Sequence, residues 1–214
     1  MSESRSENSV PLFHKNGSLC TTALLFKKHV RSLSLLLSLL LLGSVQGYAQ
    51  LTVSTDIGAN TVWSAADSPV TIQNTITVNE GITLTIDPGV TVQFDAGASL
   101  LIDGALIADG ADGSRILFTS SSGTPAPGDW GSIEFRNTNP VGSVMDFITI
   151  EYGAGTDRTG MIFYTTGAFS VNITNAIIRN SAVHGINLRA SNPIISNSEI
   201  TNNAQFGVFT DLSL

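Results

Sequence analysis

The segment Ile173-Thr-Asn-Ala-Ile-Ile-Arg-Asn-Ser-Ala-Val-His-Gly-Ile186 lies over Ile195-Ser-Asn-Ser-Glu-Ile-Thr-Asn-Asn-Ala-Gln-Phe-Gly-Val208 without a gap, at a spacing of 22 residues. Ile173/Ile195, Asn175/Asn197, Ile178/Ile200, Asn180/Asn202, Ala182/Ala204 and Gly185/Gly207 coincide. Self-similarity at this spacing is the mark of stacked units, each too small to bury its own apolar face. Elsewhere, period-2 alternation recurs in very short runs: Thr75–Val78, Thr83–Ile86, Val90–Phe94 and Arg115–Phe118. These read as strands. The groups Asn79-Glu-Gly81, Asp87-Pro-Gly89, Asp95-Ala-Gly97 and Asp109-Gly110 carry the chemistry of tight turns. Taken locally, such strands suit hairpins as well as coils. The long-range repeat decides for coils, because a hairpin sandwich does not return the same residues at a fixed distance.

The repeat extends backwards. Thr149-Ile-Glu151 matches Ile177-Ile-Arg179, with the extra residues placed in a loop from Gly153 to Gly160, and Val92-Gln-Phe94 answers Ile116-Leu-Phe118 at a spacing of 24. Three short strands per repeat, each pairing with its equivalent one turn later, describe one coil of a parallel β-helix. Ile150, Ile178 and Ile200 then stack inward, each worth roughly 1.5–3 kcal/mol when buried. Residues 70–214 make roughly six coils at this period. Gly185 and Gly207 are expected at a bend. The paired asparagines, Asn175 with Asn197 and Asn180 with Asn202, are expected to form a structural ladder at the turns.

Ahead of the repeats, Lys27, Lys28 and Arg31 precede the apolar run Leu33–Leu42, and Gly47-Tyr-Ala49 offers small residues for cleavage. This is the pattern of a secretory signal peptide, residues 28–49, cleaved after Ala49. The apolar run is shorter than the roughly 20 residues that span a bilayer, so no membrane span is expected in the mature chain. Residues 1–27 read as an upstream start or a disordered tail. Residues 50–69, with Trp63, read as a cap or lead-in. From Gln50 onward the chain has no Cys and no Lys, and five Arg against fifteen carboxylates, a net charge of −10. Such a surface repels phosphate backbones, so nucleic acid is not an expected partner. Without disulfides, packing and backbone hydrogen bonds must hold the fold.

The runs Gly81–Phe94, Leu101–Ala108, Ile116–Thr119, Gly128-Asp-Trp-Gly-Ser-Ile-Glu-Phe135 and Ile148–Gly153 resemble the first coils of right-handed parallel β-helix proteins of the pectate-lyase-like superfamily. The likeness is closest to long secreted bacterial repeat proteins. It covers residues 70–214 and implies an all-β, right-handed solenoid, secreted or displayed at the outer cell surface. Its functional range includes lyases, hydrolases, adhesins and passive stalks, so the fold alone names no activity. Two readings stand. One is a non-catalytic scaffold whose partner is a polysaccharide or another cell-surface component. The other is a polysaccharide lyase or glycoside hydrolase completed by further coils, with calcium as its cofactor if a lyase. Thr210-Asp-Leu-Ser-Leu214 follows a coil strand with no cap, which suggests an open end and downstream domains in a longer parent.

Few residues stand out as chemistry. Glu151 and Arg179 occupy equivalent places one coil apart, as an acid with an arginine base or as a cross-strand ion pair. The only His after Ala49, His184, has Phe206 as its equivalent, which favours packing over a general base. Trp130 and Tyr152 are the candidates for stacking on a sugar ring, though the resemblance implies that Trp130 packs over a coil edge. Asp109 and Asp112 flank a Gly and are a weak candidate for a calcium loop. The lone His and absent Cys leave no zinc-ligand set. A stacked threonine plane of the ice-binding kind is not expected, since Ala105 and Ile107 follow Thr83 and Thr85 one coil later.

Overall fold

The computed structural model describes residues 50–136, 142–155, 160–164, 171–189 and 191–211. The expected extension and leader, residues 1–49, and the expected open end at Leu214 lie outside these residues. Within them, nineteen strands of two to six residues, numbered in chain order, form three parallel sheets. The first sheet stacks β1 (Leu51–Val53), β3 (Val70–Ile72), β6 (Thr91–Phe94), β9 (Ile116–Ser120), β12 (Ile148–Glu151), β15 (Ile177–Arg179) and β18 (Glu199–Thr201). A second stacks β4 (Ile76–Val78), β7 (Leu100–Ile102), β10 (Ile133–Phe135), β13 (Gly160–Tyr164), β16 (His184–Arg189) and β19 (Val208–Asp211). In the third are β2 (Thr61–Trp63), β5 (Thr83–Ile86), β8 (Ala105–Asp109), β11 (Val144–Asp146), β14 (Asn172–Thr174) and β17 (Ile195–Ser196). Every strand neighbours its equivalent one turn away, which makes a parallel β-solenoid of about six turns.

Three apolar columns fill the interior, one from each sheet. The first runs Val70, Val92, Phe118, Ile150, Ile178, Ile200. From the second sheet come Ile76, Leu100, Ile133, Ile162, Ile186 and Val208. The third holds Trp63, Ile86, Ala108, Met145, Ile173 and Ile195. A strand this short has little stability alone, and burial of one side chain per strand per column supplies what local propensity lacks. The columns are sealed through most of their length but partly open at the last described coil, where Ile195 and Ile200 are half-buried and Val208 is 40% exposed.

The structure changes three expectations. β1 pairs with β3 and β2 with β5, so residues 51–63 belong to the solenoid and are its first coil among the described residues. Val92 pairs with Phe118, not Ile116, a spacing of 26 where 24 was expected. Two registers were apolar on paper, and the one that puts the Phe118 ring in the column prevails; the extra residues lie in a loop closed by the Ala111–Ser114 bridge. At the Asp109-Gly110 turn, the left-handed residue is Gly113 (φ 81°), while Gly110 is needed for close approach, since a Cβ there would sit 2.3 Å from the Phe147 carbonyl oxygen. Gly185 likewise serves close approach: a Cβ there would lie 2.7 Å from the Gly207 carbonyl oxygen and 2.8 Å from Ile200 Cγ2.

The asparagine ladder has a backbone cause. Asn175 and Asn197 follow registered strands β14 and β17 with φ of 49° at both, and Phe147 (φ 43°) precedes them in line after β11. Asn180 and Asn202 (φ 59° and 54°) likewise follow β15 and β18, in line with Tyr152 (φ 67°) after β12. Two of the three corners of these coils therefore take the left-handed conformation, which Asn tolerates because its short amide bonds locally. Asn175 Nδ2 donates to Asp146 Oδ1 at 2.8 Å, so the amide also ties one coil to the one before.

Candidate binding face

On the first sheet one outward row is polar throughout: Thr52, Thr71, Gln93, Thr119, Glu151, Arg179 and Thr201, with Thr71, Thr119 and Glu151 buried. All seven are polar, one per coil, at about 4.8 Å intervals, so the row extends about 29 Å along the axis. The alternation of each strand dictates this, because the residue beside an inward apolar one must point out. Gln50 Nε2 donates to Thr71 Oγ1, and Thr119 Oγ1 donates to Glu151 Oε1 at 3.2 Å. Arg179 binds the other carboxylate oxygen through Nε at 2.9 Å and through its terminal nitrogen at 2.8 Å. Glu151 is thus saturated, its side chain 11% exposed, while Arg179 remains 45% exposed.

That pairing places the two strongest catalytic candidates. The structure brings Glu151 and Arg179 together as a cross-strand ion pair, with the carboxylate sharing its lone pairs between a guanidinium and a hydroxyl. His184 lies on the second sheet, buried, its ring stacked on Phe209 at 4.6 Å and near Phe206 at 5.4 Å. Burial lowers its pKa below 6.5. It is not assembled with the other two.

Trp130 is fully buried. Its indole stacks on Phe94 at 4.1 Å, with planes 10° apart, and Nε1 donates to the Glu151 carbonyl at 2.9 Å. Neither face is open to a sugar. Tyr152 is half-buried at a left-handed corner, and its carbonyl accepts the N–H groups of Gly128 and Asp129 at 3.0 and 3.1 Å. Trp63 caps its column at 1% exposure. Asp109 and Asp112 are exposed, and among the described residues no group of three His, Cys, Asp or Glu side chains is arranged to hold a metal ion.

Register reveals two features hidden in the sequence. On the third sheet, Asp87, Asp109 and Asp146 align in successive coils, continued by Thr174 and Ser196. They are 22 and 37 residues apart, so no local motif announces them. Burial raises the Asp146 pKa, but donation from Thr174 Oγ1 (2.7 Å), Asn175 Nδ2 (2.8 Å) and the Phe147 N–H (2.9 Å), with Arg115 nearby, outweighs it and holds the group below 3.8. Beside this row is a mixed one, Val62, Thr85, Ile107, Val144 and Asn172, with Val62 58% exposed.

No helix among the described residues is long and apolar enough to cross a membrane. The chain matches no protein-family model, no curated protein and no solved structure.

Proposed function

We propose that this protein is an exported, non-catalytic solenoid scaffold of the right-handed parallel β-helix type. On this reading the first sheet binds a polysaccharide or another polar component of a cell surface. The observation that carries it is the row Thr52 to Thr201, polar in every coil, with its only two charges neutralising each other. Its accessible members, Thr52, Gln93, Arg179 and Thr201, offer hydroxyl, amide and guanidinium groups, while Thr71, Thr119 and Glu151 are buried beneath the surface of the row. A linear polymer lying along the axis would meet polar groups on several coils, gaining affinity by many weak contacts rather than one deep pocket. The saturated Glu151 and the isolation of His184 leave neither of them free as an acid or base beside this row.

A glycan array, followed by titration of the polymers that bind, tests the reading. The expected result is polysaccharide binding without turnover, weakened by Gln93→Leu and by Thr201→Val while the circular dichroism spectrum is unchanged. Release of an unsaturated product from polygalacturonate with calcium would overturn it in favour of a lyase. Binding that survives both substitutions would move the site off the first sheet.

A further inference from the structure

We propose that His184 is an acid-released clasp for the coil that follows it: the neutral ring holds the Phe206 N–H, and protonation lets it go. His184 opens β16, and the register of Ile186 with Val208 places it under Phe206. Its Nδ1 accepts the Phe206 N–H at 3.2 Å. Around it most of the contact is backbone to backbone: Ala204 donates to the Ser181 carbonyl, Gln205 to Val183, and Gly185 to Phe206, at 2.9–3.0 Å, while Asn203 Oδ1, which does not titrate, accepts the Ser181 N–H at 3.0 Å. The His184 backbone is held from its own coil, since Ser181 Oγ donates to the His184 carbonyl at 2.7 Å. A stack on Phe209, with planes 9° apart, fixes the plane of the ring. His184 is therefore a side-chain acceptor set into a backbone ladder, and that acceptor can titrate.

Protonation turns Nδ1 into a donor. An N–H then faces the Phe206 N–H, and the bond is lost. No charged partner compensates among the described residues. β13 presents Gly160, Met161 and Ile162 to this region, and the following coil presents Asn203, Gln205, Phe206 and Phe209. The charges on this sheet are Glu134, buried on β10 two coils before, and Arg189 and Asp211, in register with each other at its far end; Glu199 lies on the first sheet. Asp157 and Arg158 lie outside the described residues. Burial is the cause that lowers the His184 pKa. As pH falls through 6.5, the released form takes up the proton first, so the clasp is complete above that value and weakens below it. Phe206 is already 59% exposed, so the edge that opens is an apolar one.

Amide hydrogen exchange on the intact chain, corrected for the intrinsic pH dependence, tests this from about pH 7.5 to about pH 4.5. Protection of the Phe206 amide should be lost with the midpoint at which the His184 ring titrates by NMR, while the Leu100 amide, deep in the second sheet, keeps its protection. His184→Phe preserves the aromatic stack and removes the acceptor, so Phe206 should be poorly protected and flat with pH. Unchanged Phe206 protection as the ring titrates would overturn the clasp, as would simultaneous loss at Leu100. The same holds if His184→Phe keeps the wild-type pH dependence. Should that variant not fold, the two wild-type titrations still decide.

Discussion

The coils up to Phe135 and those from Phe147 onward solve one backbone problem in two ways. In the earlier part the left-handed corners belong to glycines, among them Gly81, Gly89 and Gly97, with φ between 74° and 82°. Later they belong to Asn175, Asn180, Asn197 and Asn202, with φ between 49° and 59°. Glycine meets the requirement by lacking a Cβ and asparagine by bonding its amide nearby. At the changeover, Phe147, Tyr152 and Ala154 hold left-handed conformations with no such relief. The interior differs only at the last described coil: Val92, Phe118, Ile150 and Ile178 are completely buried, whereas Ile195 and Ile200 are half-buried. Column packing tolerates either corner chemistry, and the corner chemistry decides how regular the repeat looks. Along the first-sheet column, spacings run 22, 26, 32 and 28 before returning to 22 between Ile178 and Ile200, where consecutive coils share asparagine corners.

The largest expected effect comes from the sealed interior. Phe118→Ala should cost about 3–5 kcal/mol, and Ile200→Ala in the half-open coil less than about 2 kcal/mol. Urea unfolding measures both; equal costs would dissolve the contrast between the two regions. The corners come next. Asn180→Ala should destabilise by about 1–2 kcal/mol and Asn180→Gly by much less, because only the first adds the left-handed penalty without the amide. Tyr152→Asn, which gives the changeover coil the later chemistry, should stabilise by about 1 kcal/mol. A destabilised Tyr152→Asn would mean that the half-buried ring contributes more than its strained backbone costs.

The smallest effect concerns pH. The Asp146 carboxyl is held below 3.8 in the fold, so its contribution is complete above that value and disappears as pH falls through the lower, folded value. Acid unfolding of Asp146→Asn should therefore be shallower than that of the wild type below about pH 4. Identical acid limbs would remove Asp146 from the corner ladder.

How much of this was legible follows from the same contrast. The columns through Ile150, Ile178 and Ile200 and the ladder of Asn175, Asn197, Asn180 and Asn202 could be read because the last two coils have equal length and equal corners. Val92 was matched to Ile116 because the 110–115 loop shifts register by two residues, and alternation conserves the apolar pattern under such a shift. The same variable spacing hid the polar row, since Thr71, Gln93, Thr119 and Glu151 share no motif and meet only when each strand is laid on the next. In the sequence Trp130 is an aromatic in a turn, and only the fold shows Phe94 against one face and the Glu151 carbonyl on its nitrogen.

The stacking register underlies the columns, the corners and the polar row, and the chain from Gln50 has no cysteine to interfere with a cross-linking test. Adjacent parallel strands hold registered residues about 4.8 Å apart, within the span of a disulfide. Gln93→Cys with Thr119→Cys should therefore form an intramolecular disulfide under mild oxidation, detected by mass after digestion, and Gln93→Cys with Leu117→Cys should not. Efficient bonding of the 93/117 pair with failure of 93/119 would contradict the 26-residue coil and the row built on it.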